Sequence, residues 1–344
     1  MGEDGVLQRL CNMKALLGIL AGAGASYGLY KLLLRSRSEN NVKRNRRKHE
    51  ESVNIQPGTL LSKVSAFNVV TNTVSMNLTT ERTSGELLSK SPGSLEPRHL
   101  GMLLSLLQSS PNPTERREVL VTLGNSAAFT VNQDLLREFG GLHIIAGFLS
   151  DPDPETRVQT LNALNNLSMN IQNQEHLKVY VPTVLEMIEM SPVNSDLQLA
   201  ALRLLTNLTV TDNHQHLLKS SITLLLSLVV VGNDALQIQV LKVLVNLSSN
   251  PNMIDDIVQA QAPASLVLLF DSSTSTEVLL RLLVFAGNLL AWRPSAQVAE
   301  ALRRRPDSLY CVLLDSCSQL HSRLPLLLSH SDGEVKTQVA RLLT

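Results

Sequence analysis

Apolar residues recur with helical spacing along the carboxyl-terminal two-thirds of the chain. From about residue 96, leucine, valine and alanine return three and four positions apart, which predicts amphipathic helices. The frame Leu-x-x-Leu-x-Asn occurs five times, with alanine as its second apolar residue in the last copy. The asparagines recur at intervals of 41, 41, 39 and 42 residues; they are Asn125, Asn166, Asn207, Asn246 and Asn288. A helical repeat of this length is typical of stacked-helix solenoids, whose units bury their apolar stripes against each other.

Polar connectors between the apolar runs carry helix-start signals. Asn112 precedes Pro113, and Asp153 precedes Pro154. Each pair suits an N-cap followed by the first helical position, so a long helix should begin there and carry the asparagine near its end. The sequence therefore predicts an all-α right-handed superhelical solenoid over residues 96–344, with about six units of three helices. Residues 307–344 lack the asparagine and are interpreted as a modified capping unit.

An uncharged, mostly apolar segment lies near the amino terminus. Residues 15–30 carry no charge, and a helix over residues 15–34 would span about 30 Å, the thickness of a bilayer core. We interpret residues 1–35 as a membrane anchor with a single transmembrane helix. A cleaved secretory signal and a buried core helix remain the alternatives. The glycine spacing could pair two anchors, and the residues that define the anchor are Ala15, Gly18, Gly22, Gly28 and Tyr30.

A basic flank follows this segment and sets its expected orientation. Residues 1–95 carry a net charge of +6, whereas residues 96–344 carry −6. The positive-inside rule then keeps the repeats in the cytosol. We interpret residues 36–95, which are polar and aperiodic, as a disordered linker. Without the anchor, the flank could act as a nuclear import signal; its residues are Lys43, Arg44, Arg46, Arg47 and Lys48.

The repeated asparagines are the candidate partner-binding residues. An amide offers both donors and an acceptor, so a row of asparagines could grip the backbone of an extended peptide. Alternatively, the amides bond within the repeats. Arg203 and Lys242 each lie four residues before an asparagine and form a basic strip that could meet an acidic segment, although both could simply be solvated charges.

The chain offers little for catalysis or metal binding. His214 and His216 form the one close histidine pair, and no cysteine or carboxylate stands beside them at zinc spacing. No glycine-rich phosphate loop or nucleophile elbow is present. We therefore expect a non-enzymatic protein without cofactor, metal or nucleic-acid ligand.

The asparagine frame in the third helix of each unit resembles the armadillo repeat. With the glycine-rich anchor and the basic flank, the chain resembles the vertebrate armadillo-repeat-containing X-linked group and its autosomal relatives. This resemblance implies a mitochondrial outer-membrane adaptor for mitochondrial transport, with a Miro-type GTPase and kinesin-adaptor machinery as partners. The alternative is a nuclear or cytosolic scaffold that binds transcription regulators.

Overall fold

The computed structural model describes residues 96–291 and 295–343. The predicted anchor, the linker and the basic flank lie outside these residues. The chain divides into two compact units between Leu177 and Lys178.

Unit one consists of short helices joined by tight turns. It also contains a 3₁₀ turn over Gly147–Ser150 that continues the fourth helix. Its α-helices are α1 (Pro97–Ser109), α2 (Pro113–Ser126), α3 (Thr130–Glu138), α4 (Gly141–Ala146), α5 (Pro154–Leu167) and α6 (Ile171–Leu177).

Unit two, from Lys178 onward, repeats the same order of helices. Its α-helices are α7 (Val181–Met190), α8 (Asp196–Leu208), α9 (Asp212–Gln215), α10 (Ile222–Val231), α11 (Asp234–Ser248), α12 (Pro251–Gln259), α13 (Thr276–Ala291), α14 (Ala296–Arg303), α15 (Leu320–Arg323) and α16 (Gly333–Leu343). The described residues contain no strand, and their one isolated bridge joins Gln261 to Ser308. The all-helical prediction is confirmed for this part of the chain.

The helix starts predicted from the connectors are confirmed. The Asn112 side chain accepts a hydrogen bond from the Thr114 N–H at 2.9 Å and caps α2. The Asp153 carboxylate accepts from the Thr156 N–H at 3.0 Å and caps α5. Each cap satisfies a backbone donor that the first helical turn leaves without a partner.

The core of each unit is a stack of leucine, valine and alanine side chains on facing helices. In unit one, α2 packs closely on α5 at Gly124, where an added Cβ would lie 3.3 Å from Cα of Ala163. This close approach explains why the first copy of the frame has glycine beside its asparagine. In unit two, Phe270 and Phe285 are the largest fully buried side chains.

The carboxyl-terminal repeat departs from the pattern, as expected of a modified unit. A π-helix spans Tyr310–Leu314, and the Ala262 N–H donates to the Asp307 carbonyl at 2.9 Å. Cys311 lies in this π-helix, and Cys317 lies in the turn that follows its end at Leu314.

One stretch of the described residues, Asp212–Val231, is long and apolar enough by composition to cross a membrane. However, 44% of it is buried inside the unit, and core helices of globular proteins meet the same criteria.

Candidate partner-binding face

The helices that carry the repeated asparagines pack side by side within each unit. In unit one α2 contacts α5; in unit two α8 contacts α11, and α11 contacts α13. Exposure of the asparagines falls along the chain. Asn125 is exposed, Asn166, Asn207 and Asn246 are half-buried, and Asn288 is only 7% exposed.

Three of these asparagines form hydrogen bonds to the preceding repeat. The Nδ2 group of Asn166 donates to the Gly124 carbonyl at 2.9 Å, and that of Asn246 donates to the Thr206 carbonyl at 3.1 Å. Asn288 makes a longer contact of the same kind, 3.5 Å to the Val245 carbonyl. In each case the acceptor is the carbonyl one residue before the previous asparagine. These amides therefore hold adjacent helices in register, which is one of the two alternatives raised by the sequence.

Two of the amides have a second acceptor. Asn246 Nδ2 also lies 3.1 Å from Thr209 Oγ1, and Asn288 Nδ2 lies 3.0 Å from Ser248 Oγ. Two contacts account for both protons of each amide group. At these positions a bound peptide would meet Oδ1 as an acceptor, unless it displaced a bond between repeats. The role of the asparagines in peptide binding stays a prediction.

A second polar repeat, seven residues after the asparagines, was missed in the sequence. Its buried side chains donate to carbonyls at the carboxyl-terminal ends of the asparagine helices. Those carbonyls have no N–H partner within the helix. The bonds are Asn132 Nδ2 to Ser126 at 3.0 Å, Asn173 Nδ2 to Leu167 at 3.0 Å, and Gln133, Gln174 and Gln215 Nε2 to Ala127, Ser168 and Thr209 at 2.8 Å each. The signal was available as the recurring pairs Asn132-Gln133, Asn173-Gln174 and His214-Gln215.

The glutamines of this second repeat also link successive repeats within each of the two compact units. Gln133 Nε2 reaches the Asn166 carbonyl at 3.1 Å, and Gln215 Nε2 reaches the Asn246 carbonyl at 3.2 Å. His214, a member of the candidate histidine pair, is buried with Nδ1 3.3 Å from the Leu208 carbonyl. It therefore occupies the position of Asn132 and Asn173.

The two predicted basic residues lie on neighbouring helices of unit two. Arg203 on α8 is exposed, and Lys242 on α11 is half-buried. Sequence reasoning missed a third cation, Arg281 on α13, because it compared only the position four residues before each asparagine. Arg281 lies seven residues before Asn288, two helical turns away and hence on the same side of the helix.

Arg281 is almost completely buried and binds the carboxylate of Glu277. Its Nη2 lies 2.9 Å from Glu277 Oε1, and its Nη1 donates to the Glu277 carbonyl at 2.7 Å. Burial lowers the pKa of the Arg281 guanidinium, while the charge of Glu277 and the hydrogen bond to it oppose that effect.

Lys242 is in a positively charged environment. Burial lowers the pKa of its ammonium group below the usual value, the charges of Arg281 and Arg203 lower it further, and Glu277 opposes them. We call Arg203, Lys242 and Arg281 the basic cluster. In unit one the positions four residues before the asparagines hold Val121 and Asn162, so the strip predicted from Arg203 and Lys242 belongs to unit two.

The described residues contain no group of three or more histidine, cysteine, aspartate or glutamate side chains that could hold a metal ion. The remaining predicted functional residues, those of the anchor and of its basic flank, lie outside the described part of the chain.

The fold is similar to those of designed armadillo repeat proteins. One is a designed armadillo repeat protein in complex with the peptide (KR)4, with 18% identity and a TM-score of 0.60, over 71% of this chain and 98% of that chain. Another comes from a set of computationally designed armadillo repeat proteins for modular peptide recognition, with 19% identity and a TM-score of 0.60 over the same shares. An engineered protein matches with 19% identity and a TM-score of 0.59, over 71% of this chain and 94% of that chain.

The family comparison rests on the sequence itself and covers more than half of the chain. The family model described as armadillo-like matches residues 95–314, a range that includes all five repeated asparagines and the basic cluster. This chain belongs to the armadillo-like family.

Proposed function

We propose that the chain is a non-enzymatic adaptor that binds a protein partner on the asparagine face of unit two. The observation that carries this proposal is the basic cluster, which places three cations on one side of three neighbouring helices. A buried charge is costly unless it is compensated, so such a cluster is more readily explained as a binding site than as a structural element.

The charge of this face selects the partner chemistry. Arg203 and Lys242 bring two positive charges to this face, whereas Arg281 is engaged by Glu277. An extended segment with acidic side chains would complement this excess, and its backbone N–H groups could donate to Oδ1 of Asn246. Each such hydrogen bond contributes only about 0.5–1.5 kcal/mol net, so affinity requires several contacts together.

The cellular setting is proposed from the sequence. The apolar segment over residues 15–34 and the basic residues that follow it suit an anchor with the repeats in the cytosol. Together with the resemblance to the X-linked group, they favour the mitochondrial outer membrane and partners of the Miro GTPase and kinesin-adaptor type. In this proposal the adaptor recruits transport machinery to mitochondria.

Localisation and recruitment test the two parts separately. Protease added to intact mitochondria should remove the repeats, and carbonate should leave the protein in the membrane. Protection of the repeats or release by carbonate would contradict the anchor. In proximity labelling, the charge reversals Arg203→Glu and Lys242→Glu should lose cytosolic partners that the wild type labels. The matched control reverses Arg304 and Arg305, which are exposed in the same unit. Equal labelling by both variants would contradict the binding face.

The alternative is a nuclear or cytosolic scaffold for transcription regulators. The observation that favours it is the basic run of Lys43, Arg44, Arg46, Arg47 and Lys48, which has the composition of an import signal. Nuclear localisation of the full-length tagged protein, without a mitochondrial fraction, would favour this alternative. Mitochondrial localisation that is lost on deletion of residues 1–35 would favour the membrane adaptor.

A further inference from the structure

One edge of unit two exposes apolar side chains that the equivalent edge of unit one lacks. They lie where α7 and α10 end, just before the asparagine helices begin: Met190, Val193 and Val231, which are 79%, 47% and 58% exposed. In unit one the connectors in this position, residues 109–112 and 150–153, consist of serine, proline, asparagine and aspartate. We call the three exposed residues of unit two the apolar edge.

A hydrogen bond between the two connectors holds the apolar edge together. The Asn194 side chain accepts from the main-chain N–H of Asn233, 39 residues later, at 2.8 Å. Val193 adjoins Asn194, and Val231 lies two residues before Asn233. Because consecutive Cα atoms are only about 3.8 Å apart, the two valines lie on adjoining segments of the surface. Met190 ends the helix that leads into the first connector.

Carboxylates flank the apolar edge on both sides in the sequence. Glu186 lies one helical turn before Met190, on the same side of α7. All the acidic side chains of this region are exposed; they are Glu186, Glu189, Asp196 and Asp234. The stretches that carry them, residues 179–202 and 220–241, contain no lysine, arginine or histidine. The apolar edge is therefore surrounded by negative charge.

The equivalent edge of unit one neutralises its carboxylates. Arg116 Nε lies 3.1 Å from Asp151 Oδ2, and Arg117 Nη1 lies 3.0 Å from Asp153 Oδ2. Within the described residues, no such ion pair forms at the edge of unit two. Glu189 moreover lies in the last turn of α7, where the helix dipole disfavours a negative charge. The edge of unit two thus has a charge and an apolar surface that the fold itself does not use.

The chemistry of this edge favours one kind of occupant. An apolar side chain would cover the exposed methionine and valines, and cations on either side of it would meet the carboxylates. Nucleic acids and anionic membranes carry the same sign of charge as the edge, so they would be repelled. We infer that the apolar edge docks a basic segment of a protein partner, in which an apolar side chain stands between lysines or arginines.

This docking surface is separate from the asparagine face. Asp234 opens α11, whereas Asn246 lies twelve residues later, near the end of the same helix. At about 1.5 Å per residue, the two positions are about 18 Å apart along the helix. The chain can therefore hold an acidic segment on the asparagine face and a basic segment on the apolar edge, which would let it connect two partners.

The direct test uses the full-length chain in detergent micelles, immobilised on resin. The probe is a library of short synthetic peptides with leucine fixed at the centre, two lysines or arginines fixed on each side, and the other positions random. One matched library has serine in place of the leucine, and another has glutamate in place of the basic residues. We expect the probe to be retained at least about tenfold more strongly than either, because burial of the leucine and opposite charges both contribute.

Variants assign the binding to the apolar edge. Met190→Gln should weaken binding of the retained peptides about tenfold in fluorescence anisotropy, because it removes an apolar side chain that the peptide would bury. The double variant Glu186→Gln, Glu189→Gln should weaken it about threefold, since each exposed ion pair contributes little. All three side chains are exposed, so these replacements should leave the fold intact.

Matched controls remove the same kinds of side chain elsewhere in unit two. Leu326→Gln replaces an apolar residue that is 71% exposed, and the double variant Asp212→Asn, Asp255→Asn removes two exposed carboxylates. Both should bind the retained peptides as the wild type does. Equal weakening by the controls would show a general attraction of basic peptides to an acidic surface and would overturn the inference.

The other outcomes are equally decisive. Equal retention of the leucine and serine libraries would show that the apolar edge takes no part in binding. If no library were retained and Met190→Gln halved the particle mass in light scattering, the edge would join two copies of the chain and the inference would be wrong. Retention of no library at unchanged mass would also contradict it. The charge reversals Arg203→Glu and Lys242→Glu should leave this binding unchanged, so either proposal can fail without the other.

Discussion

The amide of Asn246 donates to the main-chain carbonyl of Thr206, 40 residues earlier, at an Nδ2–O distance of 3.1 Å. Asn166 makes the equivalent bond to Gly124 in unit one at 2.9 Å. These two asparagines thus connect consecutive asparagine helices within their units, and the connection should have a measurable effect on stability.

Asn246→Ala should lower the free energy of unfolding by about 0.5–1.5 kcal/mol, the net value of a typical hydrogen bond. The matched control is Asn125→Ala, at the exposed first position of the series, where a change within about 0.5 kcal/mol is expected. Urea unfolding followed by circular dichroism measures both. Equal effects at the two sites would show that the bond between repeats contributes little.

Gln133→Ala should cost more, about 1–3 kcal/mol, because Gln133 is buried whereas Asn246 is half-buried, and its loss leaves two carbonyls without this donor. Gln133 Nε2 lies 2.8 Å from the Ala127 carbonyl and 3.1 Å from that of Asn166. The comparison is Gln172→Ala in α6, where the glutamine is exposed. Hydrogen exchange should show faster opening at the ends of both α2 and α5 in the Gln133 variant. Faster exchange in α2 alone would argue against a link between the two helices.

Gly124→Val should destabilise the chain by about 1–3 kcal/mol, because side-chain volume added to a packed interface forces the helices apart. A Cβ on Gly124 would lie 3.3 Å from Cα of Ala163. Gly101 in α1 is the contrasting site, since a Cβ there meets nothing within 4 Å. Gly101→Ala should therefore stabilise by about 0.5–1 kcal/mol through helix propensity. Thermal unfolding of the two variants should shift in opposite directions, and a shared direction would contradict the close approach of α2 and α5.

Lys242→Met should raise stability, by about 0.2–1 kcal/mol once solvent screening is allowed for. The folded protein lowers the pKa of this ammonium below its ordinary value of 10.5, so the charged form is disfavoured on folding. This cost to the free energy of unfolding is fully present below the pKa that Lys242 has in the folded protein. It disappears as the pH rises through 10.5, because between these two pKa values the unfolded chain binds more protons than the folded chain.

The measurement is urea unfolding of wild type and variant at neutral and alkaline pH. The advantage of Lys242→Met should shrink as the pH approaches 10.5. As a control, Lys336→Met on α16 removes an exposed lysine for which no burial cost is expected. A lower stability of the Lys242 variant would mean that the lysine stabilises the fold. The basic cluster would then not be a binding site that is maintained at a cost in stability.

Much of the fold follows from local signals in the sequence. Asn112 and Asp153 mark helix starts because a cap and a following proline act within one turn, whatever the rest of the chain does. The positions of the repeated asparagines follow likewise from helical spacing. The partners of their hydrogen bonds cannot be predicted from this spacing, because an amide bonds equally well to a peptide ligand or to a carbonyl of the same chain.

The rest depends on contacts between helices. Arg281 joins Lys242 only because α13 packs against α11, and a comparison restricted to one register position could not find it. The π-helix over Tyr310–Leu314 and the bridge between Gln261 and Ser308 lie in the part of the chain where the repeat breaks down. No earlier copy existed there from which to predict them.

The asparagine side chains donate to main-chain carbonyls, and this makes the repeats tolerant to substitution of their side chains. The asparagines bond to main-chain carbonyls, at Gly124 and Thr206 for example, and every amino acid supplies that group. The hydrogen bond from each repeat to the preceding one therefore depends on the position of the backbone near the end of the preceding helix, and hardly on the side chains of that helix. Mutations can accumulate on the outward positions of one copy without weakening its connection to the next. Such an arrangement lets the surface of each copy diverge toward its own ligand while the joints between copies remain the same.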